Sequence, residues 1–145
     1  MHLTGDLEQA FVRDHRRLEE ALDESAASVR AARWDAAAAA FAGFRRRIEE
    51  HMALEEQELF PAVDGGAENT LTAMLRKGHR DLRVFFDELN DALEARDVEE
   101  FSRIAGSLRG LLARHDEKEE AELYPLAQAR LGEHAAVVSA RLGDG

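Results

Sequence analysis

The sequence predicts an all-α fold: an up-down-up-down antiparallel four-helix bundle, with a short extra helix at the C-terminal end. Three observations carry that reading. Four segments place their apolar residues at steps of three, four and seven, the period of one helix face, and strand alternation appears nowhere. Turn-forming clusters separate the segments. The chain also repeats itself. Shifted by 64 residues, His15-Arg16-x-Leu18 falls on His79-Arg80-x-Leu82. By the same shift His51, Glu55, Glu56, Glu58, Leu59, Phe60 and Pro61 fall on His115, Glu119, Glu120, Glu122, Leu123, Tyr124 and Pro125, without a gap. The 145 residues read as one domain, 1–145, built of two hairpin repeats at about 7–62 and 71–126.

The first helix carries Phe11, His15, Leu18, Leu22 and Val29 on one stripe. "RWDA" then turns the chain, with Asp35 the expected N-cap and Trp34 closing the core at this loop. The second helix carries Phe41, Phe44, Ile48, His51, Glu55 and Leu59, and Pro61 is expected to stop or bend it. "DGGAEN" (64–69) leads to the third, with Leu71, Leu75, His79, Leu82, Phe86, Leu89 and Leu93. "ARDVEE" leads to the fourth, and Asp97 with Glu100 forms an expected capping box. That helix carries Phe101, Ile104, Leu108, Leu112, His115, Glu119 and Leu123 up to Pro125. The tail "EHAAVVSARLGDG" forms the short extra helix.

Composition narrows the function. With 45% hydrophobic and 34% charged residues the chain reads as globular. A net charge of -11 disfavours nucleic acid and anionic membrane as partners, since both call for a basic footprint. No cysteine is present, which excludes disulfides, thiolate nucleophiles and iron–sulfur clusters and fits a reducing, cytoplasmic setting. The first residues show no basic and apolar leader pattern, so no signal peptide is expected. The longest apolar run, 36–44, is too short for a bilayer.

The histidines share one height. The midpoints of His15 and His51, His51 and His79, and His79 and His115 are residues 33, 65 and 97, each inside a turn. Residues equidistant from a hairpin turn lie side by side, so all four imidazoles meet at one level. At 1.5 Å per residue that level is about 27 Å from the end carrying the first and third loops. Glu55 follows His51 by four and Glu119 follows His115 by four, which puts each pair on one face. Four imidazoles and two carboxylates therefore converge in an apolar core, where an unpaired ionised Glu costs several kcal/mol, of order 3–5. Cations resolve that conflict. Two carboxylates bridging, with imidazoles at the ends, would hold two ions close together. Nitrogen and oxygen donors without sulfur suit iron or manganese, with zinc as competitor.

Each piece alone has a plainer reading, a hydrogen-bonded core histidine or an ordinary i, i+4 pair. Equal spacing, common height and common phase together outweigh it. Glu56, Glu58, Glu120, Glu122 and Asp116 read as solvated surface, as do His2 and His134 outside the pattern. "LFP" and "LYP" read as helix-end packing, and the core shows no obvious proton shuttle. The Glu-x-x-His pairs of ferritin-like di-iron bundles and the H-E-x-x-H of zinc proteases are both absent.

The order H…H-x-x-x-E…H…H-x-x-x-E, with L-[FY]-P after each pair, resembles the hemerythrin-like proteins, the HHE cation-binding domain family, over roughly residues 7–126. That resemblance implies a four-helix bundle with a non-haem di-iron centre and an oxo or hydroxo bridge. It implies His15, His51, His79 and His115 as terminal ligands and Glu55 and Glu119 as bridging ones. Oxygen-carrying hemerythrins have a fifth terminal histidine, in an H-x-x-x-H pair on the third helix, and an Asp where Glu119 stands. Here Leu75 and Arg83 flank His79 at that spacing. The sequence thus resembles the four-His, two-Glu branch, with one more coordination position open or water-filled. Proteins of that branch handle nitric oxide, peroxide or iron, or sense iron or oxygen. Its iron-centre repair members carry a Cys-bearing N-terminal segment that this sequence lacks. The expected function is binding of O2, NO or peroxide as a binding, sensing or stress-response module, in a monomer or homodimer. The alternatives are a di-iron enzyme with catalase-like or oxidase turnover, and a redox-inert bundle that uses metal for stability.

Overall fold

The computed structural model describes residues 6–143 and is helical almost throughout, with no strand among those residues. Helix α1 is Asp6–Arg30. Helix α2 spans residues 34–64: Trp34–Leu54, a π-helical turn Glu55–Leu59, then Phe60–Asp64. Helix α3 is Thr70–Glu94. Helix α4 spans residues 98–131: Val98–Lys118, a second π-helical turn Glu119–Leu123, then Tyr124–Leu131. Helix α5 is His134–Ala140, the expected short C-terminal helix. Helix α1 packs on α2 and α4, and α3 packs on α4 and more sparsely on α2, which closes the four-helix bundle.

The apolar stripes face inward as their period requires. Phe11, Leu18, Leu22, Val29, Phe44, Ile48, Leu82, Phe86, Leu89, Phe101 and Leu108 are all buried. Each large side chain of this kind contributes about 1.5–3 kcal/mol by leaving water. The core has two apolar parts. One, around Phe41, Phe44, Phe86 and Phe101, fills the end nearest the first and third loops. The other, around Leu7, Phe11, Phe60 and Tyr124, fills the opposite end, where α5 covers it with Ala135 and Val138. The histidine level lies between them.

Three local expectations need correction. Arg33, not Asp35, is the N-cap of α2, and Asp35 sits in its first turn. Asp97 does cap α4 by accepting from the Glu100 N–H at 3.0 Å, but the Glu100 carboxylate turns to Arg103 instead of back to Asp97. The full capping box is at α3, between Asn69 and Thr72. Of the stop or bend expected at Pro61 and Pro125, the stop does not occur. A proline lacks an N–H and crowds the carbonyl four residues before it. The π turn preceding each one widens the backbone at that point, and the helix runs on to Asp64 and to Leu131. Trp34 is half-buried against the first-loop end of the core, as expected, with the Arg96 guanidinium 5.8 Å over its ring.

Candidate metal centre

The six sequence-identified residues come together. Glu55 spans two helices: its Oε2 lies 3.0 Å from Nε2 of His51, and its Oε1 lies 3.0 Å from Nε2 of His79. Glu119 mirrors it, 3.0 Å from Nε2 of His15 and 2.9 Å from Nε2 of His115. The donors form two groups, His15–His51–Glu55–Glu119 and Glu55–His79–His115–Glu119, each with its atoms within 4.8 Å of one another. Both groups contain both glutamates. His15, His51, Glu55, His79 and Glu119 are buried, and His115 nearly so.

The second ring nitrogens are held from outside. Nδ1 of His15 donates to Glu120 at 2.8 Å, Nδ1 of His51 to Asp14 at 2.7 Å, and Nδ1 of His79 to Glu56 at 2.7 Å. A carboxylate on Nδ1 fixes a proton there and turns Nε2 inward, so that a metal displacing the Nε2 proton would meet its lone pair, the arrangement of a metal-ligating histidine. Glu56 and Glu120 are therefore not merely solvated surface, as the sequence suggested. Their place one residue after each core glutamate is what reaches the neighbouring helix. Arg83 braces Glu56 and Arg16 braces Glu120. Glu58 and Glu122 do face outward, in ion pairs with Arg141 and Lys118. His134 is exposed, and His2 lies outside the described residues.

Two further groups depart from the sequence-based expectation. Asp116 is buried, not surface. Its Oδ1 lies 3.2 Å from Nε2 of His15, and its Oδ2 has no hydrogen-bond partner. Tyr124 does more than pack a helix end. Its phenol oxygen lies 2.6 Å from Glu55, 2.8 Å from His15, 3.0 Å from Glu119 and 3.3 Å from His51. In a regular α-helix a residue five after Glu119 would point about 140° away from it. The π turn between them, closed by the bond from the Tyr124 N–H to the Glu119 carbonyl, brings both onto one face. Such turns are frequent at functional sites. The Glu-x-x-x-x-Tyr-Pro spacing is the signal that could have revealed it.

The electrostatics describe a buried charge network. Burial alone would lower the His51 imidazole, but the Glu55 carboxylate and the Asp14 bond outweigh it and raise it to about 9. Burial likewise opposes, and Glu119, Glu55 and Glu56 overcome, a rise of His79 to about 11. Glu119 is held well below the usual carboxylate range by His115, His15 and His79 against the effect of burial. Asp116 goes the other way, pushed up to about 9 by burial. Burial and the charges of Glu119 and Glu55 push the Tyr124 phenol well up.

This donor set fits a metal. For bonds of about 2.1 Å, neighbouring donors of one ion lie roughly 3 Å apart, the spacing seen between the imidazoles, carboxylates and phenol. The Oδ2 of Asp116 is buried without a hydrogen-bond partner, and a cation nearby would favour the ionised form of this acid over the protonated form that burial imposes. A void of about 10 Å³, enough for about one water molecule, adjoins the donors and is walled by Leu18, Ile48, Leu82 and Leu112. A groove of about 670 Å³ at the first-loop end, around Trp34, contains none of the six.

A helical bundle with an enclosed His/Glu cluster of this kind defines a cation-binding domain. Residues 6–127 match the family model described as the hemerythrin HHE cation binding domain, and the chain belongs to that family. It is a metal-binding module of a family whose metal is typically iron. Neither the curated proteins nor the solved structures yield a match to this chain. No described helix is long and apolar enough to cross a membrane.

Proposed function

We propose that this single-domain chain is a four-His, two-Glu di-iron protein that binds O2, NO or peroxide as a binding, sensing or stress-response module. His15 and His51 would hold one ion and His79 and His115 the other, with Glu55 and Glu119 available to both. The observation that carries this is the membership of both glutamates in both donor groups. Iron would supply redox capacity and Lewis acidity there. The protein's part is to orient and enclose. Glu120, Asp14 and Glu56 fix three imidazoles, while Leu18, Ile48, Leu82 and Leu112 enclose the donors in apolar surroundings. Metal analysis with optical spectra, as isolated, after reduction and after exposure to O2 or NO, tests it. Two irons per chain and a ligand-dependent visible band are expected. A folded, reconstituted protein that takes up no transition metal overturns it.

A second reading, catalase-like turnover of two peroxides to two waters and O2, gains support from the Tyr124 hydroxyl. It is an O–H donor within 3.0 Å of both glutamates and His15, placed to give and take back a proton during turnover. If iron-loaded protein consumes peroxide, and Tyr124→Phe slows it at least about tenfold, as loss of a positioned acid–base group should, the enzyme reading stands. Peroxide loss no faster than with His51→Ala removes it.

A further inference from the structure

Three of the four imidazoles are held at both ring nitrogens, and one is not. Nδ1 of His15, His51 and His79 each meets a carboxylate at 2.7–2.8 Å. Nδ1 of His115 has no hydrogen-bond partner among the described residues; that ring is held only through Nε2, by Glu119. The cause lies in the repeat. Asp14, which holds His51, is replaced 64 residues later by Gly78, which lies against His115. A Cβ on Gly78 would stand 2.6 Å from Nδ1 and 2.8 Å from Cε1 of His115, so the ring occupies the space a side chain would take. His115 is also the most open of the four: its side chain is 8% exposed, against 1%, 3% and 1% for His15, His51 and His79.

A carboxylate behind a ligating imidazole fixes the ring and raises its basicity, and losing one typically costs about 10–100-fold in metal affinity. At the His15/His51 position both imidazoles have that support, and the Tyr124 phenol adds a neighbouring donor. At the His79/His115 position one imidazole lacks it, and the residue at the place of Tyr124 is Phe60, whose ring centre lies 5.2 Å from that of His79 and offers no donor.

We propose that the two positions are unequal by design of the sequence: the His79/His115 position is the exchange end of the centre, His115 is its releasing ligand, and Gly78 is the notch that frees it. A ferrous or similar divalent ion is acquired last and given up first there, on the α3–α4 side. The ion at His15/His51 stays as the permanent occupant. This rests on the two-ion reading above.

The test is release of iron from the full chain, loaded anaerobically with ferrous iron and mixed with excess chromogenic ferrous chelator. Two equal phases are expected, separated at least about tenfold in rate, as the missing support predicts. His115→Ala should abolish the fast phase and keep the slow one. Gly78→Ala, which pushes the ring aside, should do the same. Asp14→Ala should speed the slow phase and bring the two together, which tests the idea even where the other variants fail to fold. Release of both ions in a single phase by the unaltered protein overturns the inference and leaves the two-ion reading intact. So does a slow phase lost in His115→Ala but unmoved in Asp14→Ala. Uptake of no iron at all ends both.

Discussion

The two halves of the bundle each place three donors, two histidines and a glutamate, with near-identical geometry and then differ in what surrounds them. Glu55 and Glu119 each bond two histidines at 2.9–3.0 Å, and Glu56 and Glu120 each hold the histidine of a neighbouring helix. At the same offset of 64, Asp14 becomes Gly78, Met52 becomes Asp116 and Phe60 becomes Tyr124. Each exchange bears on one side. His15 and His51 gain a carboxylate on Nδ1 of His51, a phenol at the donors and a second buried carboxyl. His79 and His115 gain an apolar ring and an open edge. Duplication accounts for a pair of equal positions, and three substitutions are enough to make them chemically different.

The largest way to break the comparison is to remove what the halves share. Glu119→Ala takes a donor from both groups, so iron content should fall from two per chain to less than one. His79→Ala touches one group and should leave about one. Equal losses in both variants, read by elemental analysis, would mean that the glutamate is not shared. Next is Tyr124→Phe, which makes the second half copy the first at that position. In the metal-free protein it removes a buried donor bonded to two carboxylates, and should cost about 1.5–3 kcal/mol in denaturant unfolding. Phe60→Tyr adds a hydroxyl on the other side and should not recover that loss.

Legibility in the sequence followed periodicity. The stripes of α1 to α4 and the six ligand candidates obey a 3.6-residue period and a repeat of 64, so both could be read in advance. Periodicity did not yield Tyr124, because a π turn changes its phase by the difference between four and five residues and no apolar pattern reports that widening; only the Glu-x-x-x-x-Tyr-Pro spacing hints at it. Asp116 and Glu120 were misjudged for a related reason. Charged residues beside a charged cluster read as solvated, and only the close packing of α1 on α4 brings them onto His15. The missing partner of His115 was in principle visible as Gly78 opposite Asp14. It gains meaning only once Asp14 is seen bonded to His51.

The smallest effects come from the far end of each half, where the last turn of one hairpin secures the first turn of the other. At residue 64 Asp64 accepts from the Thr72 hydroxyl and, at 2.7 Å, from Arg76, both in the opening turns of α3. Its repeat counterpart is Gln128, whose Oε1 accepts from the Leu7 N–H, at 3.0 Å, in the first turn of α1. The roles match but the chemistry differs. Burial would raise the Asp64 carboxyl, while the bonds from Arg76 and Thr72 overcome it and hold it below the usual range. A carboxylate lowered in the folded state adds stability that is present above its unfolded pKa and is lost as pH falls through the folded one. Asp64→Asn should therefore cost about 1 kcal/mol at neutral pH, and the gap to the unaltered protein should close under acid. Gln128→Ala should cost a similar amount with no such closure, since an amide does not titrate. Parallel denaturant titrations at neutral and acidic pH separate the two, and a Gln128→Ala deficit that vanished in acid would show that the securing bond at α1 is not the neutral one described.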